Sequence, residues 1–338
     1  MDLSIIVPIY NVEKYVRTCI ESIFRQGLDE NRFEVIIVND GTQDKSMEVI
    51  TDIISQHSNI IVIEQENQGL SVARNNGIAK ASGEYLFMPD SDDLLFYGSL
   101  KQLLEIALTT KSDMVIADFE QMSSSEIEAY LNSPTPSQQD FQCIQATGEE
   151  LLDESLCRSY WRSLYRKEFL TSNGISFIPG ITAQDIPFTN ECLLKAHNCL
   201  RCSWPLVIYR WGHPSTTFAT YTTKRAKNLC VAIARIWELS KCEYISPATK
   251  QKQIDIVFTY FYALISAVTF GHIKEDSKRI EIIDYMRDLC PDLCFWNGYK
   301  QKIWTFMYKY APHTFIRLYY FTGQVKKIPK RLSAHFNK

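Results

Sequence analysis

Asp90, Asp92 and Asp93 crowd one four-residue window at the end of an apolar run, residues 85–88. Three carboxylates this close repel and raise one another's pKa, an arrangement best tolerated when a cation or a polar ligand sits among them. Hard divalent ions take such oxygens, so one reading of the cluster is a metal site. The same residue types cap helices, and a helix is predicted to begin near Gly98, so a capping reading for Asp92 or Asp93 stands beside it. The carboxyl ends of strands are where open α/β sheets bind ligands, which places the cluster where chemistry is expected.

The preceding chain supplies the frame. Residues 3–9 form a β-branched run, after which Val12, Tyr15, Val16, Cys19, Ile20, Ile23 and Phe24 recur at helical spacing with Asn11 as a cap. A second apolar run, 33–38, ends in Asn39, Asp40 and Gly41 and leads into an amphipathic stretch with Met47, Val49, Ile50, Ile53 and Ile54. Residues 60–63 read as a third strand, 70–81 as a helix ended by Gly83, 85–88 as a fourth strand and 114–117 as a fifth. This alternation predicts an α/β fold with a mostly parallel sheet covered by helices. Strands ending at Tyr10, Asp40 and Asp90 would deliver polar residues to one edge, as a nucleotide site requires.

The chain has 338 residues, 46% hydrophobic and 22% charged, enough for one large domain or two smaller ones. Its net charge of −3 gives no general argument for nucleic acid. From Trp296 onward, however, there are nine Lys or Arg and no Asp or Glu, so the rest of the chain carries about −12. Ten cysteines fall at irregular spacings, and the start of the chain lacks the basic, apolar and small-residue regions of a leader, which predicts a reducing cytoplasm. Cys199 and Cys202 form a single CxxC with no partner pair, which predicts buried or inert thiols and not zinc. No window of about 20 apolar residues predicts a membrane-spanning helix. Residues 123–142, polar and holding two prolines, read as a surface excursion or linker. The predicted division is a domain over 1–222 and a helical region over 223–338.

The stretches SIIVPIYNVEKYVRTCIESI, FEVIIVNDGTQDKS, ENQGLSVARNNGIAKASGEYLFMPDSDD and YWRSLYRKEFL resemble the successive signatures of the family-two glycosyltransferases. The resemblance covers the first hundred residues almost without a gap and thins beyond Ile116. It implies an inverting enzyme with a Rossmann-like GT-A domain, a nucleotide-sugar donor, usually UDP-linked, and a divalent cation, Mn²⁺ or Mg²⁺. By the same resemblance Asp92 is the direct metal ligand. Asp90 faces the ribose and the metal's hydration shell, with Ser91 beside it, and Asp93 orients these or caps the helix. Asp40 is expected to accept from the uracil imide over a floor shaped by Pro8 and Tyr10, and Arg74 to reach the nucleotide. The family usually has two acidic residues where Asn39 and Asp40 stand; the alternative for these residues with Gly41 is a plain turn.

The family supplies its catalytic base from a Glu-Asp pair. Here the loop reads ITAQDIPF, so Gln184 replaces the Glu and Asp185 is the candidate base, with a helix cap as its other reading. YRWGHPST looks like the loop that closes over the diphosphate, with Arg210 contacting phosphate and His213 as a further metal ligand or phosphate donor. Trp161 and Tyr165 are read either as faces of the acceptor cleft or as core packing. From Trp296, aromatic residues mix with Lys and Arg, which suits peripheral contact with an anionic membrane, a lipid-linked acceptor and the inner membrane face; packing on protein, including a second copy, is the alternative. The function expected is sugar transfer to a polysaccharide or polyprenyl-diphosphate-linked acceptor. Its rival is a nucleotide-sugar-binding protein without turnover.

Overall fold

The structure, a computed structural model, describes residues 1–133, 141–153, 159–212, 222–270, 273–295 and 298–321. The chain falls into two compact units, Met1–Gly180 with Phe188–Pro214, and Ile181–Pro187 with Ser215–Lys338.

In the first unit, β1 (Leu3–Ile9), β2 (Phe33–Asn39), β3 (Ile60–Glu64) and β4 (Tyr85–Phe87) pair in parallel in the order β3-β2-β1-β4. Every residue of β1 is buried, as expected of a strand covered on both faces. Helices α1 (Val16–Phe24), α2 (Thr51–Gln56), α3 (Leu70–Lys80) and α4 (Ser99–Thr110) fall within the connections between these strands or follow them. α3 lies so close on β1 that a Cβ at Gly77 would sit 2.3 Å from Ile6 Cγ2. Asn11 does not cap α1, whose N-cap position is Tyr15. It adopts φ 54° and accepts from the Gln43 amide at 3.0 Å, tying together the loops that follow β1 and β2.

Beyond β4 the sheet becomes mixed. After β5 (Leu94–Leu95) come β6 (Met114–Met122), β7 (Cys143–Ala146), β8 (Ser163–Arg166) and β9 (Cys199–Arg210). The order continues β4-β8-β6-β9-β5, with β7 also on β9. β8 runs antiparallel to β4 and β6, β9 parallel to β6, and β5 and β7 antiparallel to β9. The predicted excursion at 123–142 opens instead with a helix, α5 (Ser124–Asn132), because Ser123 and Glu126 form a reciprocal capping box. Short helices α6 (Gly148–Leu151) and α7 (Lys167–Ser172) precede α8 (Asp185–Lys195). The capping reading of Asp92 and Asp93 also fails, since β5 intervenes and α4 starts from Gly98 with no side-chain cap.

Cys143 and Cys202 stand opposite each other across β7 and β9, with Cα atoms 4.2 Å apart, and are joined as a disulfide. This corrects the inert-thiol expectation for Cys202. Strand register makes the pair, and no spacing in the sequence displays it. Cys199 remains a buried thiol whose pKa burial pushes up to about 12.

The start of the sheet is pinned by a buried carboxylate. Glu34 Oε1 accepts from Ser4 Oγ at 2.6 Å, the Ser82 amide at 2.6 Å and Ser82 Oγ at 2.9 Å, while the Gly83 amide donates to Ser4 Oγ at 2.8 Å. Burial pushes the Glu34 pKa up, but these donors outweigh it and hold the group below its usual value. Glu34→Ala strands several buried donors at once and is expected to cost about 2–3 kcal/mol in urea denaturation at neutral pH. Because the folded pKa is depressed, that stability is present above the unfolded pKa and is lost as pH falls through the folded one. The gap between wild type and variant should therefore narrow in acid; a gap independent of pH would show that the carboxylate's charge is not what holds the site.

In the second unit, α9 (Thr223–Leu239) packs with α10 (Pro247–Phe270) and α11 (Asp276–Leu289), burying Ile233, Ile236, Val257, Phe261, Ile282 and Met286. From α12 (Gly298–Tyr310), Tyr308 Oη donates to the Met286 and Cys290 carbonyls at 2.9 Å each. Residues 312–321 are again helical. Among the described residues no helix is long and apolar enough to cross a membrane.

Candidate functional site

β4 ends at Phe87, and the turn after it carries Asp90 to Asp93. Asp90 Oδ1 accepts from Tyr160 Oη at 2.6 Å and from Arg74 Nη2. The Arg74 side chain, from α3, is wholly buried, and its guanidinium carbon lies 4.3 Å from the Tyr160 ring centroid and 5.4 Å from that of Phe177. Tyr160 precedes β8, the antiparallel neighbour of β4, so the β4–β8 pairing delivers this donor to Asp90.

A second set of contacts closes the other side of the turn. Asp93 Oδ1 accepts from the Arg210 amide at 2.9 Å, and Arg210 Nε donates to the Asp92 carbonyl at 2.9 Å. Arg210 ends β9 and lies with its guanidinium carbon 4.9 Å from the Tyr15 ring centroid, while its Nη2 reaches Thr18 Oγ1 at 3.4 Å. Burial lowers the Arg210 pKa against the pull of Asp93. Burial, reinforced by Asp92 and Asp90, raises the Asp93 carboxyl well above its usual range. Burial likewise raises Asp90 despite the opposing charge of Arg74.

Arg74, Asp90, Asp93 and Arg210 thus converge, and Ser91 is buried among them in the chain. Pro8 is buried in β1, and Tyr10 beyond it is 44% exposed. Asp40, buried at the end of β2, is tied to its own neighbouring loop. Its Oδ1 accepts from Gln65 Nε2 and the Gln68 amide, both at 2.8 Å, and its Oδ2 from the Gly69 amide at 2.9 Å, so it holds the loop from Gln65 to Gly69. Beside this loop a cavity of about 510 Å³ is lined by Gly41, Gln43, Glu64, Gln65, Glu66 and Asn67. Arg74 is likewise paired with Asp90 and its side chain is buried.

Tyr165 is fully buried, with its ring against Phe188 and its Oη donating to the Tyr160 carbonyl at 3.2 Å, so its role is packing and not a face for a sugar. Trp161 is 9% exposed, between Phe119 edge-on at 4.9 Å and Tyr209 stacked at 5.7 Å. Asp185 is the first residue of α8 and is half-buried, with Gln184 buried before it; both belong to the second unit. His213 lies outside the described residues. The residue that sequence reasoning missed is Tyr160, whose only signal was its place at the head of the YWRSLYRKEFL stretch.

The chemistry of the cluster suits a divalent cation shared with a ligand. Asp93 Oδ2 is buried with no hydrogen-bond partner among the described residues, and the raised carboxyls of Asp90 and Asp93 would be relieved by a positive charge. Among the described residues no three His, Cys, Asp or Glu side chains converge as a complete cage. Magnesium-type sites commonly use one or two carboxylates, with substrate phosphates and water supplying the remaining ligands.

Residues 4–171 match the model of the family described as Glycosyl transferase family 2. Among curated proteins the chain is 34% identical over 228 residues to the uncharacterized glycosyltransferase EpsJ of Bacillus subtilis, covering 65% of this chain and 64% of that protein. The chain thus spans less than two thirds of that relative's length. Among solved structures it resembles S. aureus TarS 1–349 in complex with UDP, with a TM-score of 0.73 and 18% identity over 96% of this chain and 92% of the other. The complex of the same protein with UDP-GlcNAc gives 0.68 and 20% over 86% and 82%. At such identities the likeness is one of fold, and the fold is GT-A.

Proposed function

The chain carries a glycosyl transferase family 2 domain, and on that premise we propose that it moves a sugar from a UDP-linked donor to a hydroxyl of a polysaccharide or lipid-linked oligosaccharide. The reaction is a single displacement with inversion. The observation that carries the reading is the turn after β4, where half-buried Asp90 and buried Asp93 are braced by Arg74, Tyr160 and Arg210 at the carboxyl edge of the parallel strands. The fold likeness to TarS, crystallised with UDP and with UDP-GlcNAc, supports the donor class.

Each step is assigned to residues of this chain. Asp40 fixes the Gln65–Gly69 loop as one wall of the base cavity, and Pro8 and Tyr10, at the end of β1, are assigned to the face beneath the base. Asp90 and Ser91 face the ribose, and Arg74 with Tyr160 holds Asp90 in place. Asp92 and Asp90, joined by His213 beyond the described residues, would hold Mn²⁺ or Mg²⁺, which when bound neutralises the charge developing on the departing diphosphate. Arg210 anchors the acidic turn and lies next to the diphosphate. Asp185 takes the proton from the acceptor hydroxyl, and Trp161 lies at the acceptor side. A lipid-linked acceptor would be met at the inner membrane face, to which the basic aromatic C-terminal region attaches peripherally.

The test is UDP release from a panel of UDP-sugars with Mn²⁺, with chelator, and in Asp92→Ala. Metal-stimulated release from one sugar, lost in the variant, is the expected result. Tight donor binding with no release, with or without added lipid-linked acceptors, would favour a binding protein, the alternative that Gln184 in place of a second carboxylate keeps open.

A further inference from the structure

The outer face of α12 is apolar where a soluble helix is ordinarily polar. Tyr299, Ile303, Phe306 and Tyr310 are 82%, 42%, 59% and 74% exposed. At about 100° per residue they fall within roughly 60° of one another, a single stripe along the helix. Trp304 and Tyr308 occupy the opposite face and are buried, so the stripe is not the side on which α12 packs in its own unit. Lys302 and Lys309 border the stripe on one side and Lys300 on the other. Lys300 is folded back with its Nζ 4.5 Å from the Tyr262 ring centroid. Leu318 and Phe321, on the helical residues 312–321, are also exposed, at 53% and 67%.

We propose that this stripe of α12 is a docking face for an anionic lipid surface, with the helix lying in the plane of the headgroups. The inference sharpens the peripheral-attachment reading by naming the surface responsible, and its readout does not depend on sugar transfer. Charge selects the occupant. The sequence from Gly298 to Phe321 holds three lysines and an arginine and no acid. Arg317 is spent on Asp276 and His313 is paired with Asp284, which leaves the lysines around the stripe as the surplus. A second copy docked stripe to stripe would bring these lysines against their own kind, and the residues beyond 321 are basic as well. An anionic bilayer complements them. Tyr and Phe are suited to the headgroup boundary, and a stripe about 16 Å long can lie along a membrane but not cross it.

The test is co-sedimentation of the full chain with vesicles of phosphatidylglycerol and phosphatidylcholine, and of phosphatidylcholine alone. Binding should favour the anionic vesicles, weaken with salt and fall by about tenfold or more in Phe306→Glu. The same variant should keep the wild-type circular dichroism, because the side chain is on the surface. Lys302→Glu should weaken binding less. A Phe306→Glu protein that binds as well as wild type overturns the assignment to α12. So does absence of binding to anionic vesicles at low salt, and so does a dimer seen by light scattering that Phe306→Glu dissolves while neither protein binds lipid.

Discussion

Asp185→Asn is expected to lower the rate of sugar transfer by about 10²–10⁴-fold, the range ascribed to a general base, while leaving affinity for the UDP-sugar nearly unchanged. The amide is nearly isosteric and cannot take up the acceptor proton. Asp185 is the first residue of α8, so the substitution also removes a negative charge from the helix's first turn, worth about 0.3–1 kcal/mol. That cost is too small to unfold the protein, which lets a loss of turnover be read as chemistry. Transfer kinetics at saturating donor, set beside calorimetric titration of the donor, separate the two quantities. A variant retaining a third or more of wild-type turnover would move the base elsewhere, and weakened donor binding with proportionate turnover would make Asp185 a donor ligand. Gln184 adds a second arm. Gln184→Glu restores a carboxylate beside Asp185, and like-charge repulsion should raise the pKa of the base. The acid limb of the rate profile then moves to higher pH, a displacement that a merely structural role for Asp185 would not produce.

The parallel half of the sheet was legible in the sequence for a physical reason. β1, β2 and β4 are buried on both faces, so each reads as a continuous apolar run, and each ends in polar residues that turn toward one edge. The antiparallel half hides. β8 is four residues long inside an aromatic and basic stretch, and β9 contains Pro205 opposite Asp118, where the register with β6 shifts. Neither shows a clean period. The acids of the site were visible as residue types, yet what they do depends on partners set by strand pairing. Tyr160 reaches Asp90 from seventy positions away because β8 lies against β4. Asp40 has the expected position but spends its oxygens on its own neighbouring loop, a geometry that no pattern of polar residues encodes.

The same network makes Arg74 a residue whose loss should cost considerable stability. Its side chain is fully buried, with Nη2 on Asp90, the guanidinium over Tyr160, and Nε and Nη1 without hydrogen-bond partners among the described residues. Arg74→Met fills much of the volume but leaves Asp90 with Tyr160 as its remaining donor among these contacts and with two further acids close by. Breaking a fully buried pair from one side costs about 3–5 kcal/mol, because the surviving charge loses its compensation while staying out of water. Here the surviving Asp90 carboxylate keeps 29% of its side chain exposed, which reduces the expected loss to about 2–3 kcal/mol. Urea denaturation of the metal-free protein should show a loss of this size. Arg74→Lys should recover part of it, since the charge returns without the flat face that lies over Tyr160. The decisive comparison is the double variant Arg74→Met with Asp90→Asn, which removes the stranded charge together with its partner. It should be more stable than Arg74→Met alone, giving a coupling of at least about 1 kcal/mol between the two positions. Simple additivity, or a cost below about 1 kcal/mol for Arg74→Met, would mean that Arg74 is packed in place by its rings and does not hold Asp90. The acidic turn would then depend for its shape on Arg210 and Tyr160, and the donor site would survive the loss of Arg74.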